Sequence, residues 1–160
     1  MLFERRDPDL YTVSANGGAP ARLDTKCTGD CWGAGEARIS PDGSTVGFSR
    51  ASGPRSAAFP SRVAINIVPI GGGSPKSVAD PPTGYEDHYP SWSPDGKTLL
   101  FQRDTSTETP GQTKLMTIDV ASRAERLVYA IPAWAPGLGI ASFSPDGTLA
   151  SPSSGAMVVG

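Results

Sequence analysis

Tyr89-Pro-Ser-Trp-Ser-Pro-Asp-Gly-Lys-Thr-Leu-Leu-Phe101 is the stretch on which the fold of this 160-residue chain turns. Its centre, Ser-Pro-Asp-Gly, occurs three times, at Ser40–Gly43, Ser93–Gly96 and Ser144–Gly147, so that successive copies begin 53 and 51 residues apart. An apolar residue stands immediately before each copy: Ile39, Trp92 and Phe143. After the first two, Phe48 and Phe101 fall at matching offsets. A second mark keeps the same phase. Leu10-Tyr-Thr-Val, Ile65-Asn-Ile-Val and Leu115-Met-Thr-Ile are short apolar or alternating runs, each followed thirteen residues later by an aliphatic residue, Leu23, Val78 and Val128. Two marks in constant phase define a repeat of about fifty residues, the sequence signature of a repetitive architecture.

The tetrapeptide has a mechanism. Pro41, Pro94 and Pro145 pre-set φ for the first central position of a type I turn, and Asp42, Asp95 and Asp146 suit the second. Gly43, Gly96 and Gly147 then take positive φ in the bulge that closes a three-residue hairpin loop, with the serine bonding back to the loop. Each copy therefore joins two antiparallel strands. Asn16-Gly-Gly, Gly71-Gly-Gly and, less typically, Ala121-Ser-Arg join a third strand to a fourth. Four short strands per fifty residues make a propeller blade. The residues 120–130 contain good helix formers, but the phase of the repeat puts a turn at 121–123 and an outer strand at about 125–130.

Composition agrees. Glycine (19) and proline (16) exceed a fifth of the chain, while Leu, Ile, Val and Phe make up just under a fifth. So few large apolar residues would suit disorder, but disorder also wants high net charge, and here it is −2. Scattered charge offers no basic stripe for nucleic acid, and no apolar run is long enough to span a membrane as a helix. Met1–Asp9 lacks the apolar stretch of a signal peptide.

Tyr89–Phe101 resembles the repeat of TolB-like β-propellers, and Asp9–Leu23 is similar to the third and fourth strands of that repeat. The resemblance implies an all-β partial propeller of four-stranded antiparallel blades, in pieces of about 1–24, 25–79, 80–130 and 131–160, two of them complete. It covers nearly the whole chain and is specific for the repeat, not for one activity. Closed propellers have about four to eight blades, so the expectation is a fragment of a longer propeller, or self-association through open blade edges. The last copy departs from the pattern, with no Phe after its turn and Pro152 in its strand, and an extra loop runs over about 50–62.

The search for chemistry finds no Gly-x-Ser-x-Gly elbow, phosphate loop, calcium loop or paired-histidine zinc motif. Cys27 and Cys31 lie far in sequence from His88, the lone histidine, which speaks against zinc. Two free thiols are favoured over a short-loop disulfide formed in an oxidising compartment. Tyr85-Glu-Asp-His-Tyr89 is the densest polar cluster, and it reads as a solvated channel mouth in preference to an acid–base or metal site. Connections between blades, together with the loops after second strands, emerge on one face and bring Trp32, Tyr85 and Trp134 there. These three and His88 are the candidates for binding a peptide, protein or sugar, although packing between neighbouring blades is the favoured role of the aromatics. No cofactor or metal is expected. The resulting reading is a non-catalytic binding or scaffold module, periplasmic or extracellular by resemblance. The alternatives are the propeller portion of a prolyl-oligopeptidase-like peptidase and a carbohydrate-active propeller using His88.

Overall fold

The computed structural model describes residues 2–4, 9–54, 56–105, 113–130, 140–151 and 157–159, the first and last of these and 150–151 by backbone alone. They form fourteen strands and no helix. The first sheet holds β1 (Leu2–Glu4), β2 (Leu10–Thr12) and β3 (Ala21–Leu23). The second holds β4 (Cys31–Ile39), β5 (Thr45–Ser52), β6 (Arg62–Pro69) and β7 (Lys76–Ala79). The third holds β8 (Tyr85–Trp92), β9 (Thr98–Thr105), β10 (Lys114–Asp119) and β11 (Glu125–Ala130). The fourth holds β12 (Ser142–Phe143), β13 (Leu149–Ser151) and β14 (Met157–Val159). Within every sheet the strands lie in chain order, each antiparallel to the next. This is the up-and-down sheet of a propeller blade, present as two four-stranded and two three-stranded sheets. Residues 125–130 are a strand, so the helix-forming composition there yields to the cross-strand pairing with β10.

Alternation of side chains lets a central strand bind two neighbours at once. On β9, Leu99 and Phe101 join Ile65, Val78, Trp92, Met116 and Ile118 between the second and third sheets. Leu100, between them in sequence, joins Leu115, Ala141 and Leu149 toward the fourth sheet. Phe48, at the phase of Phe101, packs with Leu10, Leu23, Val46 and Val68 between the first and second. The core thus lies between sheets, and each interface repeats the last.

The thirteen-residue spacing has a direct cause. Leu10 pairs with Leu23 across β2 and β3. In the next two sheets a bulge intervenes, so Ile65 pairs with Ala79 and Leu115 with Tyr129. Val78 and Val128 are the extra residues that those bulges insert.

The Ser-Pro-Asp-Gly turns correct one expectation. Only the third copy closes a three-residue loop, with Ser144 donating its N–H to Thr148 O at 2.8 Å. In the first two the loop has four residues, and Ser40 N–H meets Thr45 O at 2.8 Å and Ser93 N–H meets Thr98 O at 2.9 Å. The reason is one inserted residue, Ser44 or Lys97, that the third copy lacks. The glycine N–H of each copy is taken up by the serine carbonyl, at 2.9–3.0 Å, which leaves that carbonyl turned away from the ladder. The serine hydroxyl replaces it. Ser40 Oγ accepts Thr45 N–H and Ser93 Oγ accepts Thr98 N–H, both at 3.0 Å. Each hydroxyl then donates to its aspartate, 2.5 Å to Asp42 and 2.6 Å to Asp95. These bonds lower both carboxyls from their ordinary value, to about 2 for Asp42, chiefly through the Ser40 hydroxyl and then the Ser44 amide. The glycines sit at φ of 74°, 70° and 88°, as the turn requires.

Candidate functional site

The first strands of the second and third sheets, β4 and β8, meet at a repeated irregularity. Each contains a bulge, between Gly35 and Arg38 and between His88 and Ser91. Glu36 and Tyr89, each four residues before its turn serine, sit in these bulges at φ 56°. A non-glycine residue in this left-handed region carries strain of about 1–3 kcal/mol, which surrounding contacts must offset. The contacts are visible. The bulge presents the Tyr89 N–H to Glu36 Oε2 on the neighbouring sheet at 2.9 Å. The same oxygen accepts the Ser49 hydroxyl at 2.5 Å and lies 3.3 Å from His88 Nδ1. On its other side His88 Nε2 lies 3.3 Å from Glu86 Oε2.

His88 is therefore held between two carboxylates from two sheets. Burial alone would lower its pKa, but the hydrogen bond and charge of Glu36, followed by those of Glu86, outweigh burial and raise it to about 9. Burial likewise works against the Glu36 carboxylate, and His88, Ser49 and the Tyr89 amide more than offset it, so its pKa falls below the ordinary value. The raised His88 and the lowered Glu36 favour the charged form of both partners, and each ring nitrogen faces a carboxylate oxygen. Among the described residues no three His, Cys, Asp or Glu side chains are gathered to hold a metal. Ser49 donates to the carboxylate and not to the imidazole. In a nucleophilic triad the imidazole stands between serine and acid; here the acid stands between.

Asp87, between Glu86 and His88 in sequence, points the other way, as strand alternation demands. It is fully buried and takes Arg103 Nε at 2.7 Å and Nη2 at 2.9 Å. Arg103 also reaches Glu125 at 2.9 and 3.1 Å and lies over the Phe101 ring at 5.4 Å from its centre. This ties β8, β9 and β11 of one sheet together.

All of Tyr85–Tyr89 belongs to β8, paired to β9 from Tyr85↔Thr105 onward, with Asp87 buried and the other four half-buried. Trp32 and Tyr85 also stand on strands and not in connecting loops, at the starts of β4 and β8. Both are half-buried. Trp32 Nε1 donates to Gly53 O at 2.9 Å, and Lys114 Nζ lies 5.0 Å from the centre of the Tyr85 ring. Trp134 lies outside the described residues, as does Pro152. The extra loop narrows to 53–61, because β5 continues to Ser52 and β6 begins at Arg62.

The cysteines correct the free-thiol expectation. Cys27 and Cys31 form a disulfide with Cα atoms 5.1 Å apart. Left-handed Lys26 (φ 51°) and Gly29 (φ 61°) curl the loop, and Cys31 N–H donates to Thr28 O at 3.2 Å, bringing the two side chains within bonding range. The loop is knitted to the one opposite. Gly53 N–H donates to Asp30 O at 2.8 Å, and Arg50 donates to Thr25 O and Lys26 O at 3.3 and 3.2 Å. Gly53 has no room for a side chain, since a Cβ there would meet Ser61 N at 2.6 Å. The disulfide loop, Trp32 and Gly53 join in one ledge beside the start of β4.

Sequence reasoning quoted Glu86 and His88 but missed Glu36. Its signal was available: Glu36 and Tyr89 hold the same phase in the repeat, so adjoining blades must bring their surroundings together.

No family model matches this sequence. Among solved structures, a protein assigned as TolB from Agrobacterium tumefaciens superposes with a TM-score of 0.64 and 22% identity over 94% of this chain and 50% of its own. TolB from Acinetobacter baumannii gives 0.62 and 19%, over 94% of this chain and 34% of its own. The β-propeller domain of the Trilobed protease from Pyrococcus furiosus gives 0.54 and 14%, over 76% and 33%. The chain thus spans half or less of the length of these proteins. Its fold is that of a partial β-propeller built from TolB-like blades.

Proposed function

We propose that this chain is a non-catalytic binding module, which takes a protein or peptide partner on the ledge and strand starts that carry Trp32, Tyr85 and His88. The observation that carries the reading is the engagement of His88. The one imidazole of the chain lies 3.3 Å from both Glu36 and Glu86, and the nearby Ser49 hydroxyl donates to Glu36. The group that general-base chemistry would need is a structural link between blades. Half-buried aromatics braced by a backbone carbonyl and a lysine are pre-organised contact surface, which binding favours because little rotamer freedom remains to be lost. The Cys27–Cys31 bridge fits a periplasmic or extracellular site of action, where disulfides persist.

Cross-linking with a photoreactive group placed on the 53–61 loop, in extracts of the native host, tests this. The expected result is a discrete adduct whose yield falls at least tenfold in a Trp32→Ala/Tyr85→Ala double variant that remains folded. Adducts identical in wild type and double variant would remove the reading. The likeness to a protease's propeller domain favours a second reading, a propeller that accompanies a serine peptidase. Coding sequence adjoining this stretch decides it, because a Gly-x-Ser-x-Gly followed by Asp and His supports the peptidase.

A further inference from the structure

The edge bearing the Ser-Pro-Asp-Gly turns has a different character. There a cleft lies between the second and third sheets and another between the third and fourth, and the two can be compared. Between the second and third sheets the cleft is about 430 Å³, with Ile67, Trp92 and Val120 in its walls. The Trp92 indole closes it, donating to Arg38 O at 3.1 Å. Between the third and fourth sheets the cleft is about 1020 Å³. Thr117 stands at the phase of Ile67 and Phe143 at the phase of Trp92, so two smaller side chains stand where larger ones line the first cleft, and the third turn, which borders the larger cleft, is one residue shorter than the other two.

The larger cleft has an apolar floor and an acidic rim. Leu127, 51% exposed, and Val128 line it from β11, opposite Phe143 and Leu149. Asp95, Asp119, Glu125 and Asp146 line it too, against the single cation Arg126. Glu125 is matched by Arg103. The other three carboxylates are kept ionised by hydrogen bonds from their own turns, Asp146 chiefly from the Ser144 hydroxyl. Lys97 is near enough to influence Asp95 and Asp119 but lies outside the walls. Beside the cleft, β11 is the outermost strand of its sheet, and among the described residues no strand pairs with its outer edge. Such an edge is a template for an added strand.

We propose that this cleft and the edge of β11 together dock a short extended segment of a protein partner, with an apolar side chain entering between the sheets and flanking lysine or arginine residues against the acidic rim. Backbone pairing with β11 would supply the orientation, the apolar floor would take the anchoring side chain, and the rim would select against acidic sequences. This surface shares no residue with the Trp32 ledge or with Tyr85 and His88, and it stands or falls independently of them.

Fluorescence anisotropy with two labelled hexapeptides, Gly-Lys-Leu-Lys-Phe-Lys and Gly-Glu-Leu-Glu-Phe-Glu, tests the proposal on the full chain. The basic peptide is expected to bind at least tenfold more tightly than the acidic one, and to weaken severalfold between 50 and 300 mM salt, in keeping with screening of a charged rim. Leu127→Lys should lower its affinity at least tenfold, whereas Trp32→Ala and Tyr85→Ala should leave it unchanged. Titration of the wild type should also move the amide NMR signals of 125–130, a readout that needs no variant to fold. Absence of binding at 1 mM, equal binding of both peptides, or indifference to Leu127→Lys would overturn the proposal. A wild-type dimer that Leu127→Lys dissolves would overturn it in favour of a second copy as occupant.

Discussion

Glu36→Gln preserves the shape of the side chain and removes the charge on which Ser49, His88 and the Tyr89 amide converge. In the folded chain His88 is held at about 9 against an ordinary value of 6.5. A folded pKa raised above the unfolded one contributes stability that is fully present below pH 6.5 and lost as pH rises through about 9. Complete linkage over that interval would amount to about 3 kcal/mol at 1.36 kcal/mol per unit. The His88 side chain is 23% exposed, so screening reduces this to about 2 kcal/mol. Glu36 supplies the larger part, because its hydrogen bond and charge rank ahead of those of Glu86 among the raising effects.

The variant should therefore be destabilised by about 1–2 kcal/mol at pH 6 and by much less near pH 9.5. Urea unfolding at several pH values measures this, and the imidazole NMR signal, unambiguous with one histidine in the chain, reports the pKa directly. The two curves, wild type and variant, should converge as pH rises. A wild-type imidazole titrating near 6.5, or a wild-type stability that stays flat between pH 6 and 9, would refute the reasoning. So would a variant whose loss grows with pH.

Three further perturbations address the fold around this joint. Ser93→Ala removes the hydroxyl that accepts Thr98 N–H and donates to Asp95, and it should cost about 1–2 kcal/mol in urea unfolding. Trp92→Phe opens space over Gly47 and Gly47→Leu overfills it, since even a Cβ there lies 3.3 Å from the Trp92 indole nitrogen. Each single change should cost about 1–3 kcal/mol. The double variant copies the Leu100 and Phe143 pairing of the next interface, and a double-mutant cycle should return a favourable coupling of about 1 kcal/mol or more. Reduction of Cys27–Cys31, or its replacement by serines, should cost only about 2 kcal/mol, because a five-residue loop restrains the unfolded chain little. Its effect on the Trp32 ledge should be larger than that figure suggests, measurable as altered tryptophan fluorescence.

The repeat was legible because turns and strand periodicity are local properties. Pro, Asp and Gly at fixed offsets select one backbone path, and the apolar phase of Phe48 and Phe101 fixes which face is buried. The length of the turn loop was not legible in the same way, because it is set by one inserted residue, Ser44 or Lys97, outside the tetrapeptide that all three copies share. The disulfide was not legible from two cysteines alone, since its formation rests on left-handed Lys26 and Gly29, which the sequence does not announce.

The Glu36–His88 link shows where such reading stops and how far it could be extended. His88 and Glu86 lie close in sequence, but Glu36 is 52 residues from His88, almost one full repeat. A separation of about one period is what adjoining blades turn into contact. In a repetitive fold the informative comparison is therefore between residues of equal phase. Glu36 and Tyr89 share a phase and a strained backbone, yet the repeat spends that shared geometry asymmetrically: one bulge supplies the carboxylate and the next supplies the amide that it binds. The same logic separates the two clefts. Ile67 and Trp92 line one, and the smaller Thr117 and Phe143 stand at the same phases in its counterpart. Function in this chain is to be sought where equal phases carry unequal side chains, because there the fold no longer explains the residue.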